Sequence, residues 1–388
     1  MEALTAGLEN MLEVLFWGSV FLLVYVYAGY PVLAITLARI WPLWTAKAGF
    51  TPSITVIITA YNEEKDIEQK IRNVLSLDYP QDQIEVVVAS DASSDATDQL
   101  VLGFNAPNVR LLRIEGRLGK TACQNAAADA ASGEVLVFTD ATTRIETNAF
   151  QALTSNFHDP AVGCVAGRLS YEAAHDDATG QGGTAYWNYE IMLRMAESDL
   201  GSLIGVSGCL YAVRRNAYRE IPAELISDFV VAMMIREQDL RTVLEPDAVC
   251  YEQTLDQADR ELSMRVRVCM RSLAALASQK RFLNPFRFGA FAWQLWSHKV
   301  LRYLSPVFWM IALLANAALA LQGRYVWLLA LQLVVLLSGL LGFTSLSLSG
   351  KSRLLAQPYY FLLTNLASAL SLFRFLRGER IVTWTPLR

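Results

Sequence analysis

Four stretches of the chain carry no charged side chain over the length of a bilayer core: Val14–Ala38, Tyr303–Gly323, Tyr325–Gly350 and Leu354–Phe373. About 20 mostly apolar residues suffice for a helix to cross the hydrocarbon. Trp17, Trp41, Trp44, Trp309 and Trp327 stand near their ends, where amphipathic rings sit among headgroups. The first stretch follows Glu2, Glu9 and Glu13 rather than a basic segment and is too long for a signal peptide, so it reads as an anchor. Hydrophobic residues make up 53% of the 388 and charged residues only 18%, against roughly 25% charged in soluble domains. This composition argues against a wholly soluble enzyme and excludes a disordered or fibrous chain.

Basic residues set the orientation. Arg39 and Lys47 follow the first stretch, and Arg260, Arg265, Arg267, Arg271, Lys280, Arg281, Arg287, Lys299 and Arg302 precede the second. The positive-inside rule then places the middle of the chain in the cytosol of a multi-pass protein of the inner (plasma) membrane. Arg374, Arg377, Arg380 and Arg388 also call for a cytosolic tail, which three full C-terminal spans would not give. Leu354–Phe373, interrupted by Gln357, Pro358, Thr364 and Asn365, is the candidate for a re-entrant or interfacial segment. The expected organisation is an anchor over 1–45, a cytosolic domain over 46–256, amphipathic interfacial helices over 257–299 and a membrane region of two or three spans over 300–388.

The net charge is -4, and beyond Tyr303 only Glu379 is acidic, so the acidic excess lies in the first 300 or so residues. No basic soluble face suits a nucleic acid. The five cysteines, Cys123, Cys164, Cys209, Cys250 and Cys269, form no CxxC pair and read as buried apolar residues of a reducing compartment.

Within the middle domain, Ile54–Thr59 is a β-branched run of the kind that forms a buried parallel strand. Ile67, Ile71, Val74 and Leu75 then line one face of a helix. Strands follow at Ile84–Ala89, Val109–Ile114 and Glu134–Thr139, with an alanine-rich helix over Thr121–Ala131. The alternation predicts a doubly wound, Rossmann-like α/β sheet, in which ligands sit beyond the carboxyl ends of strands. Polar residues occupy those ends: Ala60-Tyr61-Asn62-Glu63-Glu64, then Ser90-Asp91, then Gly119-Lys120, then Asp140-Ala141-Thr142. Neither GxGxxG nor a P-loop is present. An aspartate after a strand can bind a base or ribose, and equally can cap a helix. A lysine at a helix start suits a diphosphate, and Asp140 can hold a hard divalent cation. His298 is expected to snorkel or cap.

Taken in order, these residues resemble the membrane-bound branch of inverting family 2 glycosyltransferases of the GT-A fold, which includes cellulose, hyaluronan and poly-N-acetylglucosamine synthases. The match extends through Asp91-Ala-Ser-Ser-Asp-Ala-Thr97, Phe138-Thr-Asp-Ala-Thr142, Ser207-Gly208-Cys209 and Ser227-Asp228-Phe229. The resemblance implies that Ala60, Tyr61, Glu63 and Asp91 bind the nucleoside of a UDP-sugar and that Lys120 meets its diphosphate. It gives Asp140 the first position of the Asp-x-Asp metal motif, with Mg2+ or Mn2+ as cofactor. It makes Asp228 the general base and puts Ser207 and Gly208 where the acceptor enters. The chain departs from the family pattern at two places. Thr142 replaces the second metal aspartate, and Met264-Arg265-Val266-Arg267-Val268 keeps the arginine of Gln-x-x-Arg-Trp without its Gln and Trp. Arg265 and Arg267 are expected at the diphosphate, although an amphipathic helix on anionic lipid explains Asp259–Arg281 equally well.

The expected activity is transfer of a sugar, with inversion, to a membrane-associated acceptor. That acceptor is an exopolysaccharide chain or lipid-linked glycan, or alternatively a polyprenyl phosphate or glycolipid. A degenerate nucleotide-binding partner of a synthase is the alternative from another class. A homo-oligomer or an accessory subunit is compatible with the sequence.

Overall fold

The computed structural model describes residues 2–172, 178–253, 258–348 and 353–380, so the charges at Lys351 and Arg388 lie outside the described residues. The chain opens with helices α1 (Glu2–Val24) and α2 (Tyr30–Ile40), joined through a π-helical turn at Tyr25–Gly29. A mixed α/β domain follows. Its strands are β1 (Ile54–Ala60), β2 (Ile84–Asp91), β3 (Val109–Ile114), β4 (Val135–Asp140), β5 (Arg144–Ile145), β6 (Val162–Glu172), β7 (Leu210–Arg214) and β8 (Arg241–Gln253). Its helices are α3 (Ile67–Leu75), α4 (Thr97–Leu102), α5 (Lys120–Ala130), α6 (Ala149–Ser155), α7 (Ala178–Asp199) and α8 (Ser227–Glu237).

The sheet order is β3-β2-β1-β4-β7-β6-β8-β5. The expected parallel half is present: β1 pairs in parallel with β2 and with β4, and β2 with β3. Every residue of β1 is buried, as a β-branched strand covered on both faces requires. The other half is mixed rather than doubly wound throughout. β7 runs antiparallel to both β4 and β6, while β6 and β8 are parallel. The chain reverses its direction across the sheet at β1 and β4. The crevice beyond their carboxyl ends is therefore the expected ligand position. All five cysteines are free and buried.

After the sheet come α9 (Ala258–Ser278), the short helices α10 (Pro285–Phe288), α11 (Ala290–Gln294) and α12 (Leu301–Tyr303), then α13 (Ser305–Ala320), α14 (Val326–Leu348) and α15 (Arg353–Leu376). Among the described residues, Ala6–Ile40 and Gln357–Leu376 are long and apolar enough to cross a membrane. The pair Ala290–Tyr303 and Ser305–Ala320, bent by 56°, makes up to three. The break in the C-terminal region therefore falls at Leu304 rather than inside Leu354–Phe373. Pro358 sits within α15, yet that helix runs on without interruption.

A buried polar cluster fastens the α/β domain to these helices. His298 is 3% exposed, with Nδ1 2.7 Å from Glu197 and Nε2 2.9 Å from Glu190, both on α7. Tyr30 of α2 donates to Glu197 at 2.5 Å, and Arg302 pairs with Glu190 at 3.0 Å. His298 thus neither snorkels nor caps. The two carboxylates that enclose it come from a helix more than 100 positions away in the chain, beyond the reach of local pattern.

Candidate active site

The loops after β1 and β2 are laced into one unit. The Asn62 amide donates to Ser93 Oγ at 3.1 Å, Ser94 N donates to the Asn62 side chain at 2.8 Å, and Glu63 N donates to Thr97 Oγ1 at 2.8 Å. Asn62 and Ala92 hold φ of 54° and 55°, left-handed values that non-glycine residues adopt at a cost. Ala60 ends β1 in the core, and the Glu63 side chain is also buried, at 2% exposure. The Tyr61 ring is covered by the Arg117 guanidinium at 3.9 Å.

Asp91, at the end of β2, turns both carboxylate oxygens to a neighbouring loop. They accept from Leu118 N at 2.8 Å and Gly119 N at 3.0 Å. Asp91 therefore shapes the turn that starts α5. Gly119, at φ 93°, makes that turn possible without a Cβ clash, and Lys120 opens the helix.

Lys120 Nζ pairs with Asp140 Oδ1 at the end of β4. Asp228 approaches from the first turn of α8, and its backbone carbonyl accepts from Val206 N at 2.8 Å. Gly208 lies where the three meet. A Cβ there would stand 3.0 Å from Lys120 Nζ, 3.2 Å from Asp228 Oδ2 and 3.7 Å from Asp140 Oδ2. Ser207 precedes it on the same turn into β7. Burial pushes the Asp228 carboxyl above its ordinary range, Lys120 and Arg271 oppose that rise, and Asp140 adds to it. Burial works against the Lys120 ammonium, but Asp140 and Asp228 outweigh it and hold its pKa high.

Helix α9 divides its arginines. Arg267 lies within electrostatic reach of Asp140 and Arg271 within reach of Asp228. Arg271 also donates to Leu225 O at 3.0 Å. Arg265 is engaged elsewhere. It pairs with Glu261 at 2.7 Å and lies over the Tyr360 ring of α15 at 4.7 Å. Residues two apart on a helix do not face the same side, and Arg265 and Arg267 accordingly meet different surroundings here, Glu261 and Tyr360 for the one and the Asp140 side for the other.

Two groups beside the site, half-buried Glu252 and buried Lys70, were not singled out from the sequence. Glu252, near the end of β8, accepts from Cys209 Sγ at 3.4 Å, and burial, reinforced by Asp140, pushes its carboxyl up to about 7. Lys70 on α3 is 2% exposed, and burial brings its ammonium down to about 7. Neither carries a local signal, since β8 reads as an ordinary strand and Lys70 as one polar position of an amphipathic helix.

For a cation, Asp140 offers one carboxylate, with Oδ1 on Lys120 and Oδ2 on the Gly208 side. Thr142, at the second position of the motif, is exposed. Among the described residues no group of three His, Cys, Asp or Glu side chains could hold a metal. One hard oxygen ligand fits an ion that takes most of its coordination from phosphates and water, as Mg2+ commonly does.

Residues 55–222 match the family Glycosyl transferase family 2. The beta-monoglucosyldiacylglycerol synthase of Trichormus variabilis is 26% identical over 211 residues, which are 53% of this chain and 45% of that protein. The poly-beta-1,6-N-acetyl-D-glucosamine synthase of Staphylococcus aureus is 25% identical over 265 residues, 65% of this chain and 64% of the relative. The chain thus spans less than two thirds of the length of these curated relatives. A mannosyltransferase from Pyrobaculum calidifontis, PcManGT, solved in complex with GDP-Man and Mn2+, superposes with a TM-score of 0.73 at 24% identity. The overlap covers 94% of this chain and 100% of that one, so the two share a fold. The strands and loops that carry Tyr61, Asp91, Lys120, Asp140 and Gly208 therefore lie in the segment that matches family 2 glycosyltransferases, on a mixed α/β, Rossmann-like GT-A fold.

Proposed function

We propose that the chain transfers a sugar from a UDP-sugar to a membrane-associated acceptor, with inversion at the anomeric carbon. The convergence of Lys120, Asp140 and Asp228 on Gly208 carries this reading. One carboxylate is placed to take a proton, and a lysine is placed to meet a diphosphate, around a residue with no side chain to obstruct them. Asp228 accepts the proton of the acceptor hydroxyl as its oxygen bonds to the anomeric carbon. The bond from that carbon to the diphosphate breaks on the opposite face, and UDP leaves with the electron pair. Lys120 and Arg267 offset the charge that grows on the diphosphate. Asp140 is the residue to hold Mg2+ or Mn2+, which when bound supplies Lewis-acid stabilisation of that charge. Tyr61 and Glu63 form the nucleoside side of the crevice, and Asp91 acts there through the loop it braces.

Helix α9 lies between the site and the apolar helices, which supports an acceptor that arrives from a bilayer. A cavity of about 450 Å³ between α9 and Glu224-Leu225, just ahead of Asp228, includes Arg271 and Arg380. A lipid or short lipid-linked acceptor is favoured over a growing polymer, because Val268 stands where the synthases keep an aromatic platform. Product length after incubation with labelled donor in membranes separates the two.

Stereochemistry tests the reading without knowledge of the acceptor. Purified protein with Mn2+ and the α-linked donors UDP-glucose and UDP-N-acetylglucosamine is followed by proton NMR during slow hydrolysis. One of the two should release the β-sugar first. Release of the α-sugar first would overturn inversion, and no turnover of either would overturn the choice of donor.

A further inference from the structure

Helix α3 sends Ile67, Ile71 and Val74 into the core, and Lys70 lies on the same buried side. A buried ammonium is tolerated only where its charge and donors are met. Here the acceptors are neutral oxygens: Thr139 Oγ1 at 2.8 Å, Thr143 O at 2.7 Å and Thr143 Oγ1 at 3.0 Å. Three acceptors match the three N–H groups of an ammonium.

These acceptors belong to the turn that carries Asp140. Thr139 precedes it directly, and Thr143 Oγ1 is 3.0 Å from the Asp140 carbonyl. The same hydroxyls reach the next strand. Thr139 Oγ1 donates to Cys209 O at 2.8 Å, while Thr143 Oγ1 lies 3.4 Å from that oxygen. The backbone ladder between β4 and β7 ends at Thr139 and Leu210. Beyond that pair, the two chain segments that bear Asp140 and Gly208 are joined by this side-chain cluster, and Lys70 stands at its centre.

We propose that Lys70 is a positioning residue for the transfer reaction: its ammonium clamps the Thr139–Thr143 turn to the Cys209 carbonyl and so fixes Asp140 relative to Gly208, Lys120 and Asp228. The role in transfer rests on the functional reading above, whereas the clamp itself does not. Methionine has similar length and no donor, so Lys70→Met fills the slot and removes the clamp. Asp140 then keeps its place in the β1 ladder, but the turn after it is no longer held against the segment that bears Gly208, while Asp228 remains held by α8.

The test uses the full chain in detergent, with hydrogen–deuterium exchange as the first readout. Lys70→Met should speed exchange in peptides covering residues 136–143 and 205–212 and leave 84–91 unchanged. Unchanged exchange in the first two would overturn the clamp, and so would an equal rise everywhere, which marks a general core residue. The second readout is UDP affinity with Mn2+, expected to weaken about tenfold on loss of the hydrogen bonds that hold Asp140. In turnover the loss should appear in the donor KM more than in kcat. A kcat loss at unchanged KM would overturn the positioning role. If the native protein binds no UDP, the functional reading falls and exchange alone still decides the clamp. Should Lys70→Met fail to fold, Thr143→Val removes one acceptor without altering shape and should show the same exchange pattern to a smaller degree.

Discussion

A methyl group at position 208 would stand 3.0 Å from Lys120 Nζ and 3.2 Å from Asp228 Oδ2. Both atoms end flexible side chains and can yield, but only by leaving the geometry on which transfer depends. Gly208→Ala should keep its Tm within a few degrees and lower kcat/KM by about 10- to 100-fold, the usual penalty of a misplacement near 1 Å. A variant with native kcat/KM would show that the three groups do not act together. Ala92 offers the reverse case. Its φ of 55° costs an L-residue about 1–2 kcal/mol, part of which glycine loses again through its greater chain entropy. Ala92→Gly should therefore raise Tm by roughly 1–4 °C, read by thermal unfolding in detergent. At this scale Lys120 and Asp140 were legible as polar residues at a helix start and a strand end, whereas Asp228 was reached only through the resemblance to the family. Lys70 and Glu252 were not legible. What makes Lys70 part of the site is its distance to Thr139 and Thr143. For Glu252 it is the contact with Cys209 and the nearness of Asp140. Contacts so far apart in sequence leave no local mark.

Of the parallel half, β1, β2 and β4 were legible as the apolar, β-branched-rich runs that buried parallel strands need, while the half-buried edge strand β3 mixes Val109, Leu111 and Leu112 with Arg110 and Arg113. The antiparallel β7 and the long parallel pair of β6 and β8 were not legible, because pairing direction is decided between segments far apart in the chain. Helix α9 was legible as an amphipathic helix, but which of its arginines faces the site follows from how it packs between α8 and α15. Helix α8 holds Asp228 half-buried beside buried Phe229 and Val230, and the loss of water around it raises its carboxyl pKa while Lys120 and, on α9, Arg271 restrain the rise. A base must be ionised to act. The acid limb of kcat/KM should thus lie above the ordinary aspartate value of about 3.9, with activity lost as pH falls through the raised value. Arg271→Ala removes a charge that favours the carboxylate, so it should move that limb to higher pH. A limb that stays in place, or moves down, would contradict the electrostatic link between the two helices.

For the whole molecule, the charge-free stretches gave the position of the apolar helices but not what fastens them to the catalytic domain. That attachment is the buried cluster of Glu190, Glu197, His298, Arg302 and Tyr30, drawn from three separate parts of the chain. Removing one partner from a buried pair usually costs about 3–5 kcal/mol, because the other is left unmet. Glu197→Ala should lower the thermal midpoint in detergent by several degrees. An unchanged midpoint would mean the cluster does not hold the two parts together. The central claim concerns the proton acceptor, and the measurement that tests it most directly is a paired one on Asp228→Asn. Sugar transfer and UDP affinity are measured on the same preparation with Mn2+. Transfer should fall by at least about 10²-fold, as expected for loss of a general base, with UDP affinity within a few-fold of the native protein. Transfer retained at near-native rate in that variant would contradict the account.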